Sequence, residues 1–203
     1  MKLVFTGIQG CGKGTQARML EIKYGFKILE MGQALREIAK EDNELGRKIK
    51  TTLDSGNLVS AQFVGKVIQE VISRESSKKL ILDGFVRNQG NKETMDQIAP
   101  DYKVVFFNLS KEKAIERLLG RMYDPKTGET FPSSYTHNPK TNTPLIKRAD
   151  DNEDSILQRI NAFVENTLPI VEIQKQEGKV IEINADQTVE KVFAEIVQKL
   201  GLE

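Results

Sequence analysis

The sequence predicts an α/β domain built on a doubly wound, five-stranded parallel sheet. Three observations carry that expectation: five short runs rich in β-branched and aromatic residues, helical periodicity between them, and a glycine-rich loop that closes the first run. The runs are Leu3–Thr6, Phe26–Leu29, Leu80–Leu82, Val104–Leu109 and Val180–Ile183. They are nearly continuous in apolar character, which suits strands buried on both faces of a parallel sheet. Helical patterns lie at Thr15–Lys23, Gly32–Lys40, Leu45–Leu53, Ala61–Arg74, Lys111–Arg121, Asp154–Gln176 and Thr188–Leu200. Strands that alternate with helices predict crossover connections and hence a parallel sheet.

Two stretches depart from this alternation. Residues 30–59 hold helical patterns with no strand between them. Residues 122–150 are loop-like and rich in turn pairs, among them Asp124-Pro125, Thr127-Gly128, Asn138-Pro139 and Thr143-Pro144. Long irregular segments inside a compact domain are commonly functional, so both are read as lobes on a rigid core. The expected division is a core of residues 1–29, 60–117 and 152–203, one lobe at 30–59, and a mobile lid at 118–151.

Composition narrows the function classes. The 203 residues include 30 Lys+Arg against 29 Asp+Glu, a formal net charge of +1. Such balance gives no global field for nucleic acid or membrane, so neither is expected as a partner. Any anion site must come from the placement of charge. Cys11 is the single cysteine, which excludes an intramolecular disulfide and a four-cysteine zinc site and fits a reducing compartment. The N-terminal apolar run is too short for a signal peptide, and no window reaches membrane-span length. A cytoplasmic location is the expectation.

The first strand leads into Gly7-Ile8-Gln9-Gly10-Cys11-Gly12-Lys13-Gly14-Thr15. This is the G-x-x-x-x-G-K spacing of a P-loop, set between strand and helix as the motif requires. Its glycines let successive N–H groups point into one concavity, and the helix start near Lys13 adds partial positive charge. Lys13 reaches the β- and γ-phosphates of a nucleotide in such a loop. Gly14 stands where a hydroxyl residue usually follows the lysine, and Thr15 comes one position later. Cys11 sits in the nest, either as a reactive thiol lowered by the helix terminus or as an inert filler of the loop. The lone His137 reads as a surface or hydrogen-bonding residue.

Together with Gly32…Leu35-Arg36, Gly56-Asn57-Leu58-Val59, Asp83-Gly84-Phe85-Val86-Arg87, Arg117-Leu118-Leu119-Gly120-Arg121, Arg148-Ala149-Asp150-Asp151-Asn152 and Arg159, the loop makes a chain that resembles the adenylate kinase family of nucleoside monophosphate kinases. The resemblance runs from residue 3 to residue 200. It implies reversible phosphoryl transfer from Mg·ATP to AMP by a monomeric enzyme, with Mg²⁺ as cofactor and no structural zinc. It implies ATP binding by Gly10, Cys11, Gly12, Lys13, Gly14, Thr15, Arg117 and Arg121. Monophosphate binding falls to Met31, Gly32, Arg36, Val59, Gly84, Arg87, Asn91, Arg148 and Arg159. Catalysis falls to Lys13, Arg87, Arg121, Arg148 and Arg159, and Asp83 binds magnesium through water.

The chain also departs from that pattern. Gln9 and Val86 replace prolines, which loosens local torsions. Met31 and Asn91 stand where adenylate kinases place a threonine and a glutamine near the acceptor base. Arg87-Asn88-Gln89-Gly90-Asn91 resembles the uridylate–cytidylate kinase branch instead. Two alternatives therefore stay open: a CMP/UMP kinase of the same fold, and a nucleotide-binding regulatory protein with little catalysis.

Overall fold

A computed structural model describes residues 1–54, 59–147 and 151–202. In chain order the elements are β1 (Lys2–Gly7), α1 (Lys13–Tyr24), β2 (Lys27–Glu30), α2 (Met31–Ile38), α3 (Glu44–Asp54), α4 (Ala61–Arg74), β3 (Leu80–Asp83), α5 (Gln89–Ile98), β4 (Lys103–Asn108), α6 (Lys111–Leu119), β5 (Met122–Tyr123), β6 (Thr130–Phe131), α7 (Glu153–Ala162), a π-helical turn (Phe163–Thr167), α8 (Leu168–Gln176), β7 (Val180–Asn184) and α9 (Val189–Leu200). Five strands form one parallel sheet in the order β2-β3-β1-β4-β7. All five predicted strands are in it.

The nearly continuous apolar runs find their reason in the two faces of this sheet. Leu3, Phe5, Ile81, Val105 and Phe107 join one buried cluster with Leu20 of α1, Leu118 of α6 and Ile196 of α9. Val4, Leu80, Leu82 and Val104 join the other, with Val67 and Ile68 of α4 and Met95 of α5. Each face hides an alternate set of residues, so no position on a central strand can be polar without loss. Phe5 and Phe107 meet edge to face at 5.0 Å across β1 and β4. Each such fully buried ring contributes about 1.5–3 kcal/mol relative to exposure.

From β1 the chain goes out to the edge strand β2, returns to lay β3 between β2 and β1, and then crosses to β4 on the other side. The crevice opened by such a reversal lies beyond the carboxyl ends of the strands. Gly7, Asp83 and Glu30 end β1, β3 and β2 on that edge.

Three elements differ from the sequence reading. Helix α5 was not predicted, because its stripe toward the core includes Asn91 and Lys92 beside Met95. The Lys92 ammonium is only 5% exposed and is neutralised by Asp96 at 2.7 Å and Glu177 at 2.6 Å. Its cap was legible, since Asn88 Oδ1 accepts from the Asn91 amide at 3.0 Å. The helix predicted over Asp154–Gln176 is interrupted by the π-turn ahead of Pro169. The helix predicted to Arg121 ends at Leu119, with Gly120 as its cap, so Arg117 and Arg121 do not share a helical face.

The loop-like segment after α6 has its own order. β5 and β6 pair antiparallel, and Tyr123 exchanges both backbone hydrogen bonds with Ile146, at 2.8 and 2.9 Å. Its centre is polar. Asp124 and Asn138 are fully buried, and Asn138 Nδ2 donates to Asp124 Oδ2 at 2.6 Å. Asp124 Oδ1 accepts from the amides of Lys126 at 2.8 Å and Thr127 at 3.2 Å. Burial pushes the Asp124 carboxyl up, but these donors outweigh it and hold it at about 2. A depressed carboxyl stabilises the fold fully above its unfolded value and loses that contribution as pH falls through the folded one. We therefore expect this segment to loosen between pH 3.8 and about 2, before the sheet does. At neutral pH, Asp124→Ala is expected to speed amide exchange across residues 122–147 about tenfold while exchange in β1 and β4 is unchanged, as mass-spectrometric exchange can read.

Candidate active site

The loop between β1 and α1 has the form the sequence implies. Gly12 sits at the N-cap of α1 with φ +91°, and no side chain caps the first turn. A residue with a Cβ is strained at that torsion, and the uncapped amides remain open to an anion. The Cys11 amide donates to the Ile8 carbonyl at 3.2 Å and closes the turn. Lys13 Nζ donates to the Gly7 carbonyl at 2.7 Å and lies 3.4 Å from both Ile8 O and Cys11 Sγ. Its ammonium is thus held over the mouth of the loop by the loop's own backbone. Gly10 and Gly14 complete the loop, and Thr15 is exposed on the first turn of α1.

A second group of cations gathers on Asp151. This carboxylate is 2% exposed at its side chain and receives Arg121 Nε at 2.7 Å and Nη2 at 2.5 Å, together with Arg159 Nη2 at 3.0 Å. Burial pushes its carboxyl up, yet the two guanidinium groups prevail and hold it below the ordinary aspartate value. Arg159 Nε also donates to the Ser155 carbonyl at 3.1 Å. Two arginines that would repel each other are aligned by one fork-shaped acceptor. Asp151 stands in the Arg148-Ala149-Asp150-Asp151-Asn152 motif, and an acid beside a motif arginine was its one signal in the sequence. Arg117 lies apart, 3.7 Å from Asp186. Arg148 lies outside the described residues, as do Gly56, Asn57 and Leu58.

The opposite flank of the crevice carries Arg36 and Arg87. Both are exposed, and among the described residues neither has an ion-pair partner. Each guanidinium lies along a glycine. A Cβ at Gly32 would stand 3.5 Å from Arg36 Nη1, and one at Gly84 would stand 2.7 Å from Arg87 Nη2. Gly84, with φ +75°, is therefore required by its torsion, and a side chain there would displace the arginine above it. Met31 and Asn91 are recessed, at 4% and 2% exposure, and Val59 packs partly buried on the same cluster as Met31. Asn91 Oδ1 accepts from the Arg87 amide at 3.4 Å, while its Nδ2 has no partner. Asp83 ends β3 facing the same crevice, and among the described residues it has no cationic partner.

A hollow of about 290 Å³ between α3 and α4, beside Leu45 and Phe63, shares no residue with this crevice. The site is an open cleft flanked by two sets of cations.

The profile described as Adenylate kinase matches residues 5–179. The chain belongs to the adenylate kinase family. An adenylate kinase of Francisella tularensis subsp. novicida (strain U112) is 33% identical over 218 aligned residues, spanning 99% of each chain. One from Alkaliphilus oremlandii (strain OhILAs) is 34% identical over 215 residues with the same coverage. The protein is a nucleoside monophosphate kinase, a nucleotide-binding transferase on an α/β P-loop fold.

Burial argues for the inert reading of Cys11. Its thiol is 2% exposed and is part of the buried cluster under the loop. We expect iodoacetamide to label Cys11 at least about a hundredfold more slowly in the native enzyme than in urea, because attack needs an exposed thiolate. Thiol quantification over time checks this; equal rates contradict it.

Proposed function

We propose that the enzyme catalyses reversible, direct in-line transfer of the γ-phosphoryl group of ATP to AMP. The observation that carries this reading is the asymmetry of the crevice: a P-loop and an aspartate-aligned arginine pair on one flank, and on the other two guanidinium groups that have no ion-pair partner among the described residues. One flank suits a polyphosphate and the other a monophosphate. Phosphoryl transfer needs little covalent help from a protein; it needs alignment and neutralised charge on the equatorial oxygens.

In this reading residues 1–29, 60–117 and 152–203 form the core, 30–59 close over the monophosphate, and 118–151 close over ATP. The amides of Gly10–Thr15 bind the donor phosphates, and the Lys13 ammonium exchanges the Gly7 carbonyl for phosphate oxygens. Arg117 lies along the donor adenine. Arg36 and Arg87 hold the acceptor phosphate, with Gly32, Gly84, Val59 and Met31 shaping its pocket. Arg121 and Arg159, with Arg148, turn to the transferring group. An acceptor phosphate oxygen forms a bond to the γ-phosphorus as the bond to the β–γ bridging oxygen breaks, and ADP leaves on both sides. Magnesium suits the residues present: the Asp83 carboxylate and the Thr15 hydroxyl are hard oxygen donors, and among the described residues no cation competes for Asp83. Asp83 would hold the ion through water, and the ion would neutralise phosphate charge. Lobe closure excludes water, so ATP is not lost to hydrolysis. A cytoplasmic monomer belongs to the same reading, in keeping with a single buried thiol.

CMP stands as the second acceptor, on a specific observation. The Asn91 amide is recessed and partly engaged by Arg87, so it reads adenine less strictly than a longer amide would. The test is ADP formation from Mg·ATP with AMP, CMP and UMP in turn, and with no acceptor. AMP is expected to give the highest kcat/KM, with CMP second and no appreciable turnover without acceptor. A preference for CMP or UMP contradicts the acceptor assignment, and equal ADP release without acceptor contradicts transfer altogether. Lys13→Met is expected to lower kcat about 10²-fold or more with an unchanged circular dichroism spectrum.

A further inference from the structure

The helical run that carries Arg159 changes character four residues later. Across Phe163–Thr167 it widens to a π-turn, and the Leu168 amide bonds back to the Phe163 carbonyl. Pro169 supplies the cause. It has no amide hydrogen for the carbonyl four residues back, and its ring crowds that carbonyl, so the preceding turn opens. Such turns recur at functional positions.

Thr167 lies at the end of this turn and is 7% exposed. A threonine within a helix commonly returns its hydroxyl to a carbonyl of the preceding turn. Thr167 Oγ1 instead donates to the main-chain carbonyl of Arg87, at 3.1 Å and 80 residues away. The amide of the same residue, Arg87, donates to Asn91 Oδ1 at 3.4 Å. The Arg87 main chain is thus fastened by two side chains from two different elements, while its guanidinium stays exposed over Gly84. An arginine on a loose segment must lose backbone as well as rotamer freedom when it meets phosphate; one whose main chain is already fixed loses less.

We propose that Thr167 is a positioning residue for the acceptor phosphate, acting through Arg87, and that the π-turn exists in this chain to deliver its hydroxyl there. The inference rests on the reading of Arg87 as an acceptor-phosphate ligand. It also ties the two flanks of the crevice together: one helical run carries Arg159 and, eight residues on, the hydroxyl that holds the Arg87 main chain. Asn91 becomes a partner in the same task, which accounts for its burial.

Steady-state kinetics with AMP varied at saturating Mg·ATP, and with Mg·ATP varied at saturating AMP, test this on Thr167→Val, Thr167→Ala, Thr167→Ser, Arg87→Gln and the Arg87→Gln/Thr167→Val double variant. Loss of the hydroxyl in Thr167→Val and Thr167→Ala is expected to raise KM for AMP about five- to tenfold, the size of one hydrogen bond. KM for ATP should stay within about twofold, and Thr167→Ser should recover most of the loss. The double variant should be no worse than Arg87→Gln alone, because the two act as a unit. A Thr167→Val or Thr167→Ala enzyme with unchanged AMP kinetics, equal changes in both KM values, no recovery by serine, or an additive double variant would each overturn the proposal. If Arg87→Gln itself leaves KM for AMP unchanged, the reading of Arg87 falls first and the proposal with it, an outcome distinct from the others.

Discussion

A buried carboxylate between two guanidinium groups is the contact on which the arrangement of this enzyme depends. A kinase of this kind must gather cations where phosphates meet, yet gathered cations repel one another. Asp151 resolves the conflict for Arg121 and Arg159, and the Gly7 carbonyl does the same for Lys13. Each acceptor is internal to the protein and can be exchanged for phosphate oxygen. Removing one partner from such a buried pair costs about 3–5 kcal/mol, because the other charge is left stranded. The carboxylate therefore keeps both arginines at the crevice rather than letting them turn to solvent. Arg36 and Arg87 obey a different rule: their guanidinium groups are exposed and lie along glycines, without an ion-pair partner among the described residues.

The sheet decides where these groups meet. Its central strands carry mostly apolar residues on both faces, so charged chemistry gathers at their ends. The loop after β1 and the carboxylate that ends β3 stand on neighbouring strands, with Phe5 in register with Asp83. The helical run from α7 to α8 then passes the same edge, from Asp151 and Arg159 to Thr167. The polar centre around Asp124 and Asn138 holds the β5–β6 segment as its own small unit, with a network of short hydrogen bonds where an apolar core is too small to form.

Much of this was legible in the sequence because it rests on local pattern. The five strands announce themselves by continuous apolar runs, and Gly7–Thr15 by a spacing that only a phosphate loop requires. What was not legible depended on partners distant in the chain. Helix α5 buries Asn91 and Lys92, and Lys92 is neutralised there by Asp96 of its own helix together with Glu177, which arrives from the far end of α8. The end of α6 was misplaced because Arg121 fits a helical repeat, yet its guanidinium is claimed by Asp151 thirty residues on. Asp151 and Thr167 carried no spacing signal for what they hold. Pro169 was in plain view, and it marks the interruption that periodicity alone overlooked.

The central claim is that cations from both flanks converge on one phosphate chain. A crystal structure with a bisubstrate analogue, two adenosines joined through five phosphates, tests it directly. With the analogue bound, the Lys13 ammonium is expected to leave the Gly7 carbonyl, and the guanidinium groups of Arg36, Arg87, Arg121 and Arg159 are all expected within hydrogen-bond distance of non-bridging phosphate oxygens. A bound analogue whose phosphates are met from only one flank, with Arg121 and Arg159 still turned wholly to Asp151, would contradict it.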